Sequence, residues 1–218
     1  MTPDLCFDPV AHGYTLNGEM VPSVTQILAP LYDFEWMPAW RREAVMLRGR
    51  IVHDAIAADN QRDLDEATFA RTCPDETPYL AAWRDFRETR RFVPQFCEYR
   101  VASPRHKIAG TLDALGIMDG AAALIDFKTG NPNDVAADLQ TAGYFGLAVE
   151  WANAGDRGLA DFFARYPVIK RFAVQLKPDA TFRVEAYTRS SDYRDFLALA
   201  AAHHIIAGRR GRRPAEAA

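Results

Sequence analysis

The sequence predicts an α/β fold of the α+β kind, a central mixed sheet flanked by helices. Three observations predict it. Asn17-Gly18 and Asp119-Gly120 each stand between apolar runs, and such pairs supply the two positive-φ residues of a tight hairpin. Residues 95–103, 168–176 and 182–187 alternate or cluster apolar side chains over strand-like lengths. Helical spacing at 39–60, 78–92, 135–153 and 191–207 separates these strands. A chain of 218 residues suffices for one medium domain.

Taken in order, residues 7–21 are a small hairpin across Asn17-Gly18. Ser23 is positioned to cap a short helix that ends before Pro30. Residues 31–38 carry Tyr32, Phe34 and Trp36 and are expected as a loop packed on the domain, rather than as an exposed platform for stacking bases. Residues 39–60 place Ala44, Leu47, Ile51, Ala55 and Ala58 at helical spacing. Gly49 sits inside that helix at a cost of about 1 kcal/mol relative to alanine, which implies close packing or binding there. His53 shares its face. Residues 63–77 are polar, around a short helix. Residues 78–92 are an amphipathic helix ended by Pro94. In strand 95–103, alternation puts Phe96, Glu98 and Arg100 on one face and Cys97, Tyr99 and Val101 on the other. Asp134 is the expected N-cap of the helix at 135–153, where Gln140, Tyr144 and Leu147 share a face. Residues 161–166 are a helical turn, and Lys177-Pro178-Asp179 joins two strands. Gly208 is the expected stop of the last helix.

Composition narrows the function classes. The net charge is −3 and the pI near 6.0, which argues against a protein that coats nucleic acid by bulk charge. Arginines cluster locally at 41–50, 84–91 and 209–213. No apolar run approaches the roughly 18 residues that span a bilayer, and the N-terminus lacks the pattern of a signal peptide. Cys6, Cys73 and Cys97 are odd in number and far apart, which suggests a reducing compartment and falls one short of a four-thiolate cluster. A cytoplasmic location is expected.

The chemistry concentrates at residues 108–130. Along the second strand of that hairpin, Leu124, Asp126 and Lys128 share one face, and Ile125 and Phe127 the other. Asp113 lies on the facing strand. Burying such groups is costly unless they pair or bind metal, and two converging carboxylates are hard oxygen ligands suited to Mg²⁺. Lys128 is one of only four lysines against 22 arginines, which marks it further.

Four motifs stand in order: Gly49-x-x-x-His53, Gly110-Thr111-x-Asp113, Asp126-x-Lys128 and Gln140-x-x-x-Tyr144. In this the sequence resembles the PD-(D/E)XK nuclease superfamily, in its RecB-like, phage-exonuclease-like branch, over roughly residues 53–176. Pro22-Ser23-Val24-Thr25 resembles a segment that phage-type members carry upstream. The resemblance implies a restriction-endonuclease-like core in αβββαβ order, spanning residues 39–208, with 1–38 packed on it and 209–218 a basic, disordered tail. It implies a Mg²⁺-dependent DNA nuclease (Mn²⁺ is the alternative ion), most readily an exonuclease of phage or bacterial recombination and repair. An endonuclease and a catalytically silent DNA-binding subunit are the alternatives. By resemblance, His53, Asp113, Asp126 and the Phe127 carbonyl hold the metal. Lys128 orients or deprotonates the attacking water, and Glu98 holds a second ion or a water. Gln140, Tyr144 and Thr129 border the substrate. Thr111-Leu112 stands where the superfamily name has proline. The four-cysteine cluster of some relatives is missing, so no iron–sulfur centre is expected. No phosphate loop of the G-x-x-x-x-G-K-[ST] type occurs, so the resemblance implies a module that works alone or with a separate helicase or recombination protein.

Overall fold

The structure, a computed structural model, describes residues 3–32, 36–130 and 136–210. It is mixed α/β. Strands β1 (Leu5–Asp8), β2 (Gly13–Leu16) and β3 (Glu19–Val21) form a small antiparallel sheet rather than a single hairpin. Asn17 and Gly18 turn it with φ of 52° and 80°, as the Asn-Gly pair requires. Helix α1 (Val24–Leu28) follows. Ser23 caps it: the hydroxyl accepts from Gln26 N, and the Gln26 side chain accepts from Ser23 N. The helix ends at Leu28, before Pro30 as expected, and a 3₁₀ turn, Ala29–Leu31, follows.

Helices α2 (Ala39–Gln61), α3 (Glu66–Thr72) and α4 (Thr77–Thr89) lead to the main sheet. This comprises β4 (Val93–Ser103), β5 (Ile108–Met118), β6 (Ala121–Lys128), β7 (Lys170–Leu176) and β8 (Phe182–Tyr187), in that spatial order. All pairings are antiparallel except β6 with β7. A parallel pair needs a crossover, and α5 (Ala137–Asn153) with α6 (Arg157–Arg165) provides it. The expected N-cap Asp134 lies outside the described residues. Helix α7 (Asp192–Arg210) closes the chain. It runs past Gly208, because a helix-interior glycine costs stability but ends a helix only with the left-handed turn that follows a C-cap. Arg209 and Arg210 therefore belong to α7, and the rest of the expected tail lies outside the described residues. Pro94 does not end α4 but sits inside β4, which its edge position allows.

Two cores sandwich the sheet. On one face, Leu112, Leu115 and Leu124 pack with Val24, Leu147 and Phe196 of α1, α5 and α7. On the other, Ile125, Phe127 and Val174 pack with Ile56, Trp83 and Phe86 of α2 and α4. The small sheet is tied to β5 by the Ala109 N–H, which donates to Pro22 O at 3.0 Å, and by a 2.8 Å hydrogen bond between the Tyr14 and Thr111 hydroxyls.

Candidate metal centre

Three adjacent strands each place one carboxylate at the same level of the sheet. Between the pairs Cys97–Ala114 and Tyr99–Leu112, register sets Glu98 opposite Asp113. One step beyond the last β5–β6 pair, Ala114–Ile125, it sets Asp113 opposite Asp126. There β5 and β6 part. The Phe127 N–H, instead of joining the ladder, donates to Asp113 Oδ2 at 2.7 Å. On its other edge β6 stays paired with β7 as far as Lys128–Gln175. The site is this fork, braced by Trp83, whose ring meets Phe127 edge-on with centroids 4.9 Å apart.

Glu98 corrects the alternation expected for β4. Its φ is 45°, a conformation that costs a side-chain-bearing residue about 1 kcal/mol or more. The kink breaks the two-residue period. Phe96 and Tyr99 fall on the α6 side, where their rings meet at 4.9 Å. Cys97 and Glu98 turn to α2 instead: Asn60 donates to Cys97 Sγ, and Glu98 reaches His53. Burial raises the Cys97 thiol to about 11, so it stays a protonated filler rather than a ligand.

Helix α2 delivers His53 into the fork. Its Nδ1 lies 3.4 Å from Glu98 Oε1 and 3.5 Å from Asp113 Oδ1, and its Nε2 lies 3.2 Å from the Phe127 carbonyl. Both ring nitrogens thus face acceptors, which suits the doubly protonated ring. Burial favours the neutral form, but the charges of Asp113, Glu98 and Asp126 outweigh it and raise the pKa to about 10. Asp126 stands on the α5 side with 1 % exposure. Lys128 Nζ is 3.0 Å from Asp126 Oδ2 and donates to Gln140 Oε1 at 2.6 Å. Burial lifts Asp113 and Asp126 to about 6 each, against the pull of His53 on the first and Lys128 on the second.

The donor set fits a divalent ion. Ligand atoms of His53, Glu98 and Asp113 lie within 4.8 Å of one another. Neighbouring donors about a Mg²⁺ ion at 2.0–2.1 Å stand about 2.9 Å apart, close to the spacings around His53. The buried Asp126 Oδ2 already has the Lys128 ammonium 3.0 Å away, so the cluster of His53, Glu98 and Asp113 carries the fit to an ion. A metal displaces the His53 proton, because only the neutral ring has a lone pair to give; the three carboxylates Glu98, Asp113 and Asp126 then face Lys128 alone, a surplus that a divalent ion neutralises.

The expected site residues are therefore assembled, with different intimacy. His53, Glu98 and Asp113 form one cluster, with the Phe127 carbonyl against the ring. Asp126 sits beside them, engaged by Lys128. Gln140 and Tyr144, expected at the substrate border, are buried. Gln140 accepts from Lys128 and so positions the lysine rather than reaching outward, and Tyr144 lies one turn along α5 from it, against Gly110. Burial pushes the Tyr144 hydroxyl well above its usual pKa, so it remains a phenol. Thr129 Oγ1 lies 3.8 Å from where a Cβ on Gly49 would stand, and among the described residues nothing else approaches that point. Close packing thus does not explain Gly49. Gly110 is different: a Cβ there would meet Tyr144 Cε1 at 2.8 Å, so the glycine of Gly110-Thr111-x-Asp113 seats the tyrosine ring on β5. The Tyr14–Thr111 bond was invisible in the sequence, because nothing local pairs residues 97 positions apart. Searches of protein-family models and of curated proteins find no match to this chain.

Proposed function

We propose that the chain is a Mg²⁺-dependent DNA nuclease, an exonuclease acting on DNA ends. The observation that carries the reading is the convergence of His53, Glu98 and Asp113 beside the Asp126–Lys128 pair at the fork of β5 and β6. The mixed five-stranded sheet, with helices on both faces and α5 and α6 crossing between the parallel strands β6 and β7, supports it as a scaffold.

Asp113, Asp126, His53 and the Phe127 carbonyl would hold the ion, and Glu98 a second ion or a water. A bound ion supplies charge neutralisation at a phosphodiester and a lowered pKa for a coordinated water. The chain's residues prepare for that chemistry. Asp113 accepts from the Phe127 N–H, which orients its other oxygen toward the His53 side. Gln140 and Asp126 hold the Lys128 ammonium at a fixed place, where it offsets the negative charge that attack on phosphorus builds. Tyr144, seated on Gly110 one turn along α5, fixes the helix that carries Gln140. The reading extends to a cytoplasmic protein that works with a separate helicase or recombination partner. Among the described residues no helix is long and apolar enough to cross a membrane.

The test is cleavage of linear and covalently closed circular duplex, with Mg²⁺ or EDTA, by wild type, Lys128→Ala and Asp126→Asn. Metal-dependent loss of linear DNA alone, abolished in both variants, is the expected result. Cutting of the circle would make it an endonuclease. Cleavage that survives both substitutions would overturn the site, and DNA binding without cleavage would make it a silent subunit.

A further inference from the structure

The first three turns of α2 are not part of either core. From Ala39 to Arg50 no side chain is buried, and the helix first enters the core at Val52. Leu47 stands at helical spacing with Ala55 but is not buried with it, and Trp36, expected in a loop packed on the domain, is mostly exposed. Trp36 is 67 % exposed, Trp40 71 %, Met46 58 % and Leu47 50 %. Four arginines stand in the same stretch against Glu43 alone, so this arm carries net positive charge on a chain of net −3. A helix segment this short gains little from its own hydrogen bonds, and so much exposed apolar surface marks a contact.

The arrangement says what kind of contact. Apolar and cationic side chains are distributed around the whole circumference: at 100° per residue, Trp40, Val45, Met46 and Leu47 point to roughly 0°, 140°, 240° and 340°, with Arg41, Arg42 and Arg48 between them. A flat protein partner would require one apolar stripe. An unpaired nucleic-acid strand offers phosphates and flat base faces in alternation, and arginine with tryptophan meets both. The arm also leads to the fork. Arg42, Met46, Gly49 and His53 follow one another along one side of α2, and the bare Gly49 backbone faces Thr129, the residue after Lys128.

We propose that residues 36–50 form an arm that holds the unpaired strand of a DNA end and passes it along Gly49 to the carboxylates, which makes single-stranded or frayed ends the substrate class. This rests on the nuclease reading of the site, but its test does not require cleavage. A 15-nucleotide oligonucleotide and a blunt hairpin duplex of matched length are titrated into the full chain in EDTA, following anisotropy and tryptophan emission. Trp83 and Trp151 are buried at 0 % and 6 % exposure, so quenching by stacked bases reports Trp36 and Trp40. The oligonucleotide is expected to bind tighter than the duplex and to quench the emission. Trp36→Ala and Trp40→Ala are each expected to weaken it about five- to 150-fold, the span of one lost stack, without a change in melting temperature. Arg42→Ala is expected to flatten the dependence of affinity on salt.

Equal affinity of wild type and both tryptophan variants, or preference for the blunt duplex, would overturn the proposal. So would a dimer in sedimentation that Trp40→Ala dissolves, which would assign the arm to a second copy of the chain. Mg²⁺-dependent cleavage unaffected by Trp40→Ala would leave the nuclease standing and the arm refuted. Oligonucleotide binding with quenching but no cleavage would do the reverse.

Discussion

Gly110→Ala tests the join between fold and site. The added methyl would stand 2.8 Å from Tyr144 Cε1 and 3.2 Å from Val24 Cγ2. Neither neighbour can yield easily: Val24 is fully buried, and Tyr144 lies 5 % exposed in the same core. Overpacking of this kind costs about 1–3 kcal/mol. For a chain of this length each kcal/mol moves the melting temperature by about 2–4 °C, so a fall of about 2–12 °C is expected in calorimetry. The entropy that alanine removes from the unfolded chain opposes this by about 0.4–1 kcal/mol, which favours the lower half of the range. The cause is isolated by a double-mutant cycle. In a Tyr144→Ala background the methyl enters space that the ring has left, and its cost is expected to drop below about 0.5 kcal/mol, a coupling of the size seen for residues in contact. Displacing Tyr144 also loosens Gln140 behind Lys128, so cleavage by Gly110→Ala is expected to fall more than its folded fraction does. A melting temperature at or above wild type, or an equal loss in both backgrounds, would refute the steric account.

Three further outcomes are expected. Gly49→Ala is expected to stabilise the chain by up to about 1 kcal/mol, since among the described residues the new methyl meets Thr129 Oγ1 alone, at 3.8 Å; a lower melting temperature would show that α2 packs differently there. In EDTA, His53, raised to about 10, contributes stability that is complete below its unfolded value near 6.5 and disappears as pH rises through 10; the melting-temperature gap between wild type and His53→Gln is therefore expected to close across that window, and a gap constant to pH 10.5 would count against the imidazolium. Arg171→Met is expected to cost about 3–5 kcal/mol in urea unfolding, because Arg171 is 2.7 Å from the buried Asp192 carboxylate and also donates to the Asp138 carbonyl at 2.8 Å, tying β7 to α5 and α7; Arg171→Met with Asp192→Leu is expected to recover much of the loss, since no buried charge is then left alone.

Local features were legible wherever covalent neighbours decide the conformation. Asp119-Gly120 adopts φ of 50° and 81°, Ser23 caps α1, and Asp126 and Lys128 share a face of β6, each through residues a few positions apart. Residue types marked the chemistry as well: a scarce lysine two positions from an aspartate needs no tertiary contact to be noticed. Long-range consequences were not legible. Only the folded chain shows that β5 and β6 part at Asp113, because that depends on a side chain capturing the Phe127 N–H from the ladder. Only the kink at Glu98, forced where β4 crosses between α2 and α6, decides that Glu98 and not Phe96 meets His53. The apolar period of α2 was real, yet a period gives the direction of a stripe and not whether anything covers it. Its last turns meet α4 and the sheet, while its first three stand in solvent. Sequence thus determined which groups could act and on which element each rides. Tertiary packing decided their distances, their protonation and which of them face water, because burial and charge proximity are properties of the assembled layers and of no single segment.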